Sequence, residues 1–168
     1  MSITAFEQLV YTSLETLAIP YIRREHPPVY TVDQAREYDS GIPGAHCKNL
    51  FLRNKKGDRH FLAILEASTS VHLRGLGDRI GAGGLSLASP DRLLRIMGLE
   101  PGSVGPFGLL NPAAKDVTVL LENRLRSFSQ IGFHPNTNTA TLTIAREDFE
   151  RFLSHLGNPI LWIDLSLK

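Results

Sequence analysis

Four polar or reactive side chains lie in a row between a glycine loop and an apolar run. They are His46, Cys47, Lys48 and Asn49, between Gly44 and Leu50–Leu52. If this stretch is an extended strand, Cys47 and Asn49 point to one face and Lys48 to the other, so Cys47 and Lys48 should not point into one pocket. The ammonium of Lys48 would suit a phosphate or a developing oxyanion. A solvated lysine at a strand end is the simpler alternative.

A second segment, residues 98–108, is rich in glycine and also contains two prolines. Glycine lets a backbone approach a ligand because it has no side chain, and consecutive N–H groups in such a turn can be aimed at an anion. A binding loop is therefore one interpretation of Gly102–Gly105. The alternative is a helix cap followed by an ordinary surface turn.

A third segment, residues 132–139, places His134 between a phenylalanine and a proline. A histidine can act as an acid, a base or the wall of a pocket near neutral pH, although a hydrogen-bonded structural histidine is more usual. Cys47 paired with His134 could form a nucleophilic pair, but an inert buried thiol is commoner. No set of residues has the spacing of a zinc site, and no serine has the spacing of a nucleophile elbow. We therefore expect no metal.

Composition narrows the class of protein. The chain has 168 residues, 42% of them hydrophobic, and a net charge of +1, which predicts one globular domain over residues 1–168 without a broad basic field. The single cysteine, the lack of a secretion signal and the shortness of the apolar runs favour the cytoplasm and no membrane insertion.

Hydrophobic periodicity predicts helices that alternate irregularly with strands. The helices are expected near residues 3–17, 32–38, 73–80, 90–97 and 147–156, with Ser89 and Gly98 capping the fourth. The strands are expected near 21–24, 49–53, 60–65, 85–88, 117–121, 139–144 and 160–165. Because the second and third strands flank a turn, they form a hairpin. The fold class is therefore mixed α+β, with a mixed, mostly antiparallel sheet flanked by helices.

Taken together, the three chemical segments resemble the YbaK-like aminoacyl-tRNA editing family. The matching stretches are residues 46–52, 101–108 and 133–135, together with His26–Thr31 upstream. Within that family, the chain is similar to the freestanding alanyl-tRNA(Pro) deacylases, relatives of the editing domain of prolyl-tRNA synthetases. The likeness runs from about Tyr21 to Leu165.

The resemblance implies a cytoplasmic hydrolase that acts in trans, without cofactors, on tRNA(Pro) carrying alanine. It also suggests a transient association with prolyl-tRNA synthetase. By position it implies Lys48 as the catalytic residue, and it implies substrate binding by Asn49, Gly102, Ser103, Val104, Gly105 and His134. We hypothesise that the N–H groups of Gly102–Gly105 stabilise the oxyanion while Lys48 holds the tRNA terminus and water attacks the ester.

Three other functions stay open. Another member of the family could remove cysteine, serine or threonine instead of alanine. A binding module could hold tRNA without cleaving it, and a cysteine-dependent hydrolase could use Cys47. A deacylation assay distinguishes the binding module from the enzymes, and replacement of Cys47 tests the cysteine mechanism.

Overall fold

The computed structural model describes residues 2–165, apart from the side chains of Val32 and Asp39. The helices are α1 (Ala5–Thr16), α2 (Val32–Asp39), α3 (Leu73–Arg79), α4 (Pro90–Met97) and α5 (Arg146–Leu156). The strands are β1 (Ile22–Glu25), β2 (Ala45–Asn54), β3 (His60–Glu66), β4 (Leu85–Leu87), β5 (Thr118–Glu122), β6 (Gln130–Phe133), β7 (Ala140–Ala145) and β8 (Ile160–Ile163). Short 3-10 helices occupy Pro106–Leu110, Pro112–Ala114 and Asn123–Ser127. Residues 1 and 166–168 of the predicted domain lie outside the described residues.

The strands form one sheet in the order β1-β7-β6-β2-β3-β5-β8, and β4 pairs with β2 beside this path. Within residues 2–165, four pairings are antiparallel: β1 with β7, β6 with β7, β2 with β3 and β2 with β4. The pairings of β2 with β6, β3 with β5 and β5 with β8 are parallel. The predicted mixed, mostly antiparallel sheet flanked by helices is therefore confirmed.

Strand β2 lies at the centre of the sheet, but one of its edges is only partly covered. One edge pairs with β3 over Cys47–Arg53. The other pairs with β6 at Ala45 and His46 and with β4 at Leu52–Asn54. Because β6 and β4 pair with opposite ends of that edge, the sheet opens between them, beside the residues that carry the chemical signal.

Apolar side chains pack into two clusters on opposite faces of the sheet. The larger cluster includes Phe51 and joins the sheet to α1, α4 and α5. The smaller cluster includes Leu52, has Leu50 packed against it and is covered by α3. The side chain of Cys47 packs against the larger cluster. The alternation predicted for β2 is therefore confirmed by the contacts of its apolar side chains.

Local signals at chain turns predicted several elements well. Ser89 Oγ accepts a hydrogen bond of 3.2 Å from Arg92 N at the start of α4, and Gly98 ends that helix in the left-handed region with φ 68°. Strand β6 was not predicted, because Gly132 interrupts a segment of only four residues. It forms because β2 and β7 pair with its two edges.

Within residues 2–165, every helix is too short or too polar to cross a lipid bilayer.

Candidate active site

Two adjoining cavities lie between helix α2 and the start of β2. The first, called the inner cavity, has a volume of about 70 Å³, and its walls include His26, Tyr38, Asn49, Gly132, His134 and Thr141. The second, called the lysine cavity, has a volume of about 410 Å³, and its walls include Arg36, Lys48, Glu66 and Ser68. Ala35, His46 and Cys47 border both cavities, so the two form neighbouring parts of one cleft.

Lys48 lies on β2 opposite Leu65 of β3, and its side chain is half-buried in the wall of the lysine cavity. Within the described part of the chain its ammonium makes no hydrogen bond or ion pair. A cation on the wall of a cavity, without a protein counter-charge at bonding distance, is available to an anionic ligand. Lys48 therefore lies in the wall of a cavity that could admit an anionic ligand, and its catalytic role stays a prediction.

Glu66 is an acidic residue that lines the lysine cavity together with Lys48, but its carboxylate already has other partners. Its Oε2 lies 3.3 Å from Arg124 Nη1 and also accepts hydrogen bonds from the N–H and hydroxyl of Ser68. The carboxylate of Glu66 therefore has a cationic partner other than Lys48.

The buried carboxylate of Glu122 stabilises residues 66–69, which form one wall of the lysine cavity. It accepts hydrogen bonds from Glu66 N at 2.8 Å and from Thr69 Oγ1 at 2.8 Å, while Ala67 N donates to His46 O at 2.7 Å. Because a buried polar group is costly unless paired, these contacts fix residues 66–69 as a rigid side of the lysine cavity.

Asn49 lies next to Lys48 in the chain but borders the inner cavity. Its Oδ1 is buried and has no hydrogen-bond partner in the described structure. An unpaired buried acceptor costs about 1–3 kcal/mol, so a ligand that donates to Oδ1 once the side-chain amide turns towards the cavity would recover this energy. Asn49 is therefore suited to bind a donor group such as an ammonium.

His134 follows β6 and forms another wall of the inner cavity. Its Nδ1 lies 2.9 Å from Ala140 O, which requires Nδ1 to carry the proton that it donates. Its ring also meets the ring of His26 edge to face, with centroids 5.5 Å apart. His134 is thus a pocket wall and a hydrogen-bonded structural residue at once, and the two interpretations of the sequence are compatible.

Cys47 borders both cavities, so the expectation that Cys47 and Lys48 cannot share a pocket is wrong. The alternation of side chains holds, but the lysine cavity spans the start of β2 between α2 and the end of β3, so consecutive residues of β2 line it. Burial, together with the nearby carboxylates of Glu66 and Glu122, raises the pKa of the Cys47 thiol. Since the thiolate is the nucleophile, this environment disfavours the cysteine-dependent mechanism.

The turn Gly102–Gly105 contributes differently from the prediction. Ser103 lines a separate cavity with Tyr30. Its N–H donates to Glu100 O at 3.1 Å, and its hydroxyl donates to the same oxygen at 2.9 Å. The amide of Ser103 is therefore engaged within the turn, which contradicts its predicted role as an oxyanion donor.

The other residues of this turn lie against neighbouring segments. Val104 packs against the larger core cluster, and Gly102 adopts φ 96°, a conformation that suits glycine. A Cβ added to Gly105 would lie 3.6 Å from His134 O. The turn therefore abuts the backbone of His134, and it supports the inner cavity from behind.

The lining of the inner cavity that was not predicted to bind substrate includes three polar side chains, those of His26, Tyr38 and Thr141. The sequence offered a signal only for His26, in the stretch His26–Thr31 that carried part of the family resemblance. Tyr38 and Thr141 enter the wall through the packing of α2 and β7, which sequence periodicity does not reveal. Within residues 2–165, no group of three or more His, Cys, Asp or Glu residues has the arrangement of a metal site.

The model of the aminoacyl-tRNA editing domain matches residues 26–152, which is more than half of the chain. The chain belongs to this family, and it is an aminoacyl-tRNA deacylase, a hydrolase of the ester between an amino acid and tRNA.

The relatives show which members of the family this chain is similar to. The prolyl-tRNA editing protein ProX of Acetoanaerobium sticklandii is 38% identical over 159 residues, which cover 95% of this chain and 97% of that protein. Prolyl-tRNA synthetase associated domain-containing protein 1 of Danio rerio is 36% identical, covering 88% of this chain and 78% of its own length.

A solved structure supports the fold. The crystal structure of a candidate trans-editing enzyme for prolyl tRNA synthetase superimposes with a TM-score of 0.70 and 20% identity, covering 95% of this chain and 97% of that one. The crystal structure of the hypothetical protein APE2540 has a TM-score of 0.71 at 14% identity, with 90% and 95% covered. At these identities the likeness concerns the fold alone.

Proposed function

We propose that this enzyme acts in trans on mischarged tRNA(Pro) and removes alanine from its 3′ end. The observation that carries the proposal is the pairing of a small inner cavity of about 70 Å³ with an adjoining lysine cavity. A cavity of that size accommodates the few heavy atoms of an alanyl group and disfavours larger side chains. The name of the relative ProX, a prolyl-tRNA editing protein, supports tRNA(Pro) as the carrier of the alanine.

Lys48 is the proposed catalytic residue. Its ammonium would hold the ribose–phosphate end of the tRNA in the lysine cavity and face the carbonyl oxygen that becomes negative during hydrolysis. Its lack of an ion pair in the described structure and its place beside the inner cavity support this assignment. A prearranged charge of this kind contributes about 3–4 kcal/mol to a transition state when it faces the oxyanion.

Asn49 and His134 are the proposed walls of the amino-acid pocket. The unpaired Oδ1 of Asn49 would accept a hydrogen bond from the α-ammonium of the alanyl group. The ring of His134, oriented by Ala140 O, would limit the space for the side chain. The turn Gly102–Gly105 would keep His134 in place through the contact at Gly105.

The proposed nucleophile is a water molecule that attacks the ester carbonyl. The tRNA then leaves with its hydroxyl restored, and alanine leaves as the free amino acid. The raised pKa of Cys47 supports water rather than a protein thiolate in this step. We propose that the enzyme needs no cofactor, works in the cytoplasm and associates transiently with prolyl-tRNA synthetase.

A panel of tRNA(Pro) charged with alanine, cysteine, serine, threonine or proline tests the proposal. We expect kcat/KM for alanyl-tRNA(Pro) to be the highest in the panel and prolyl-tRNA(Pro) to be spared by about tenfold or more, the range that steric selection provides. Faster release of cysteine, serine or threonine would overturn the choice of alanine. Binding of alanyl-tRNA(Pro) without release of alanine would contradict the proposal and indicate a module that binds this tRNA without cleaving it.

A further inference from the structure

His26 separates the inner cavity from a third space, here called the outer cavity. The outer cavity has a volume of about 580 Å³ and is lined by Arg23, Glu25, Thr137 and Thr139 among others. Among the residues described as lining these two spaces, His26 alone borders both. His26 therefore lies between the small cavity and a much larger one.

Two hydrogen bonds hold the ring of His26 in this position. Nδ1 lies 2.9 Å from Pro27 O, and Nε2 lies 3.0 Å from Thr141 Oγ1. Because Pro27 O only accepts, Nδ1 donates to it, and in the neutral ring Nε2 accepts from the hydroxyl of Thr141. Both ring nitrogens are engaged with protein atoms, which suits a fixed wall better than a proton carrier.

The backbone around His26 is also constrained. His26 N donates to Thr139 O at 3.0 Å. Pro27 and Pro28 then restrict the backbone to extended conformations directly after the histidine. The ring is consequently held by its side chain and by its main chain, so it has little freedom to move aside for a larger substrate.

His26 also links the two other rings of the inner cavity. Its centroid lies 5.5 Å from that of His134 in an edge-to-face contact and 6.3 Å from that of Tyr38 in a stacked contact. Tyr38 belongs to α2, whereas His134 follows β6. The three rings form a continuous aromatic wall, and loss of the central ring would remove support from the other two.

We propose that His26 determines which amino acids this deacylase removes, because its ring closes the inner cavity against the outer cavity. The inference rests on the proposed function, in which the inner cavity receives the amino acid. Without the ring, the space of about 70 Å³ joins the space of about 580 Å³, and steric exclusion of larger amino acids is lost.

The test separates the bulk of the ring from its hydrogen bonds. His26→Ala removes both, whereas His26→Phe keeps a ring and loses both hydrogen bonds. We expect the ratio of kcat/KM for alanyl- over prolyl-tRNA(Pro) to fall by about tenfold or more in His26→Ala, the size of a steric selection in a pocket. The ratio in His26→Phe should stay within about threefold of wild type.

His155→Ala is the matched control, because His155 is an exposed histidine on α5 that lines neither cavity. It should leave the ratio unchanged. Thermal unfolding identifies variants that no longer fold. If His26→Ala does not fold, a folded His26→Phe still tests the proposal. A fall of its ratio by about tenfold or more, despite the retained ring, would contradict the proposal. A wild-type ratio in folded His26→Ala would also overturn it.

Failure of the proposed function gives a different result. If the wild-type enzyme prefers an amino acid other than alanine, the ratio is formed with that preferred substrate over prolyl-tRNA(Pro). A fall of this ratio in His26→Ala alone would then support the role of His26 while alanine is rejected as the substrate.

Discussion

The inner cavity and the lysine cavity share part of their walls but differ in size and charge. The inner cavity, about 70 Å³, is bounded by neutral amide and hydroxyl groups and by rings, including Asn49, Thr141 and His134. The lysine cavity, about 410 Å³, contains Arg36, Lys48 and Glu66. A small space with fixed rings can select by size, whereas a wide space with cations can hold an anionic backbone.

This difference suggests that selection and catalysis reside in adjacent compartments. Neighbouring residues of β2 serve both, since Lys48 borders the lysine cavity and Asn49 the inner cavity. A substitution in the lysine cavity should therefore change the rate for all substrates. A substitution in the inner cavity should change the preference among substrates. Variants of Lys48 and His134 test that separation.

The largest effect is expected at Lys48. Lys48→Ala should lower kcat for alanyl-tRNA(Pro) by about 10²–10³-fold, because the charge that faces the developing oxyanion is lost. Lys48→Arg should fail as well, since a planar guanidinium does not replace a compact ammonium. Single-turnover deacylation measures both, with Lys115→Ala as an exposed lysine control. Wild-type rates in a folded Lys48→Ala would reject the assignment.

A smaller effect, of a different kind, is expected at His134. His134→Ala enlarges the inner cavity, so the preference for alanyl over larger aminoacyl esters should weaken by about tenfold. The rate for alanyl-tRNA(Pro) should fall less than this preference does. The measurement is a competition between alanyl- and prolyl-tRNA(Pro). An unchanged ratio together with a reduced rate for every substrate would assign His134 to catalysis instead. Selection and catalysis would then not reside in separate cavities.

A minor effect on activity is expected at Cys47, which lies between the two cavities. Because burial and two carboxylates raise its pKa, the thiol stays protonated well above neutral pH. Alkylation by iodoacetamide at pH 8 should be slower by about tenfold or more in the folded than in the unfolded chain. Cys47→Ala should keep kcat within about threefold of wild type, and loss of turnover in a folded variant would revive the cysteine mechanism.

The smallest effect should arise outside both cavities, at His60. Burial and the cations of Arg92, Arg95 and Arg53 lower its pKa, and its neutral Nε2 lies 3.1 Å from Arg92 Nη1. The unfolded chain therefore binds a proton near pH 6.5 more readily than the folded one, so the free energy of unfolding should fall as the pH drops below about 6.5.

His60→Phe keeps a ring on Phe51, with which His60 stacks at 5.6 Å. The pH dependence of unfolding by urea should be flatter in this variant than in wild type between pH 7.5 and about 5.5. The pH profile of deacylation should not change, because His60 borders neither compartment. A shifted activity profile would connect the far end of the hairpin to the site.

The sequence alone determined the local elements and the residue types of the site. The periodicity of α1 and α5, the turn of the β2–β3 hairpin and the caps of α4 predicted most elements within a few residues. Family resemblance and the row from His46 to Asn49 pointed to Lys48. These signals are local in the chain, because caps, turns and alternation depend on neighbouring residues.

Only the tertiary structure decided how these residues are grouped. Strand β6 exists because β2 and β7 pair with its edges, and the inner cavity lies beside the part of β2 that β6 and β4 leave uncovered. The engagement of the Ser103 amide and the position of His26 between two cavities likewise arise from contacts between segments distant in the chain. Such contacts depend on how elements pack, and a sequence pattern records the elements without their packing partners.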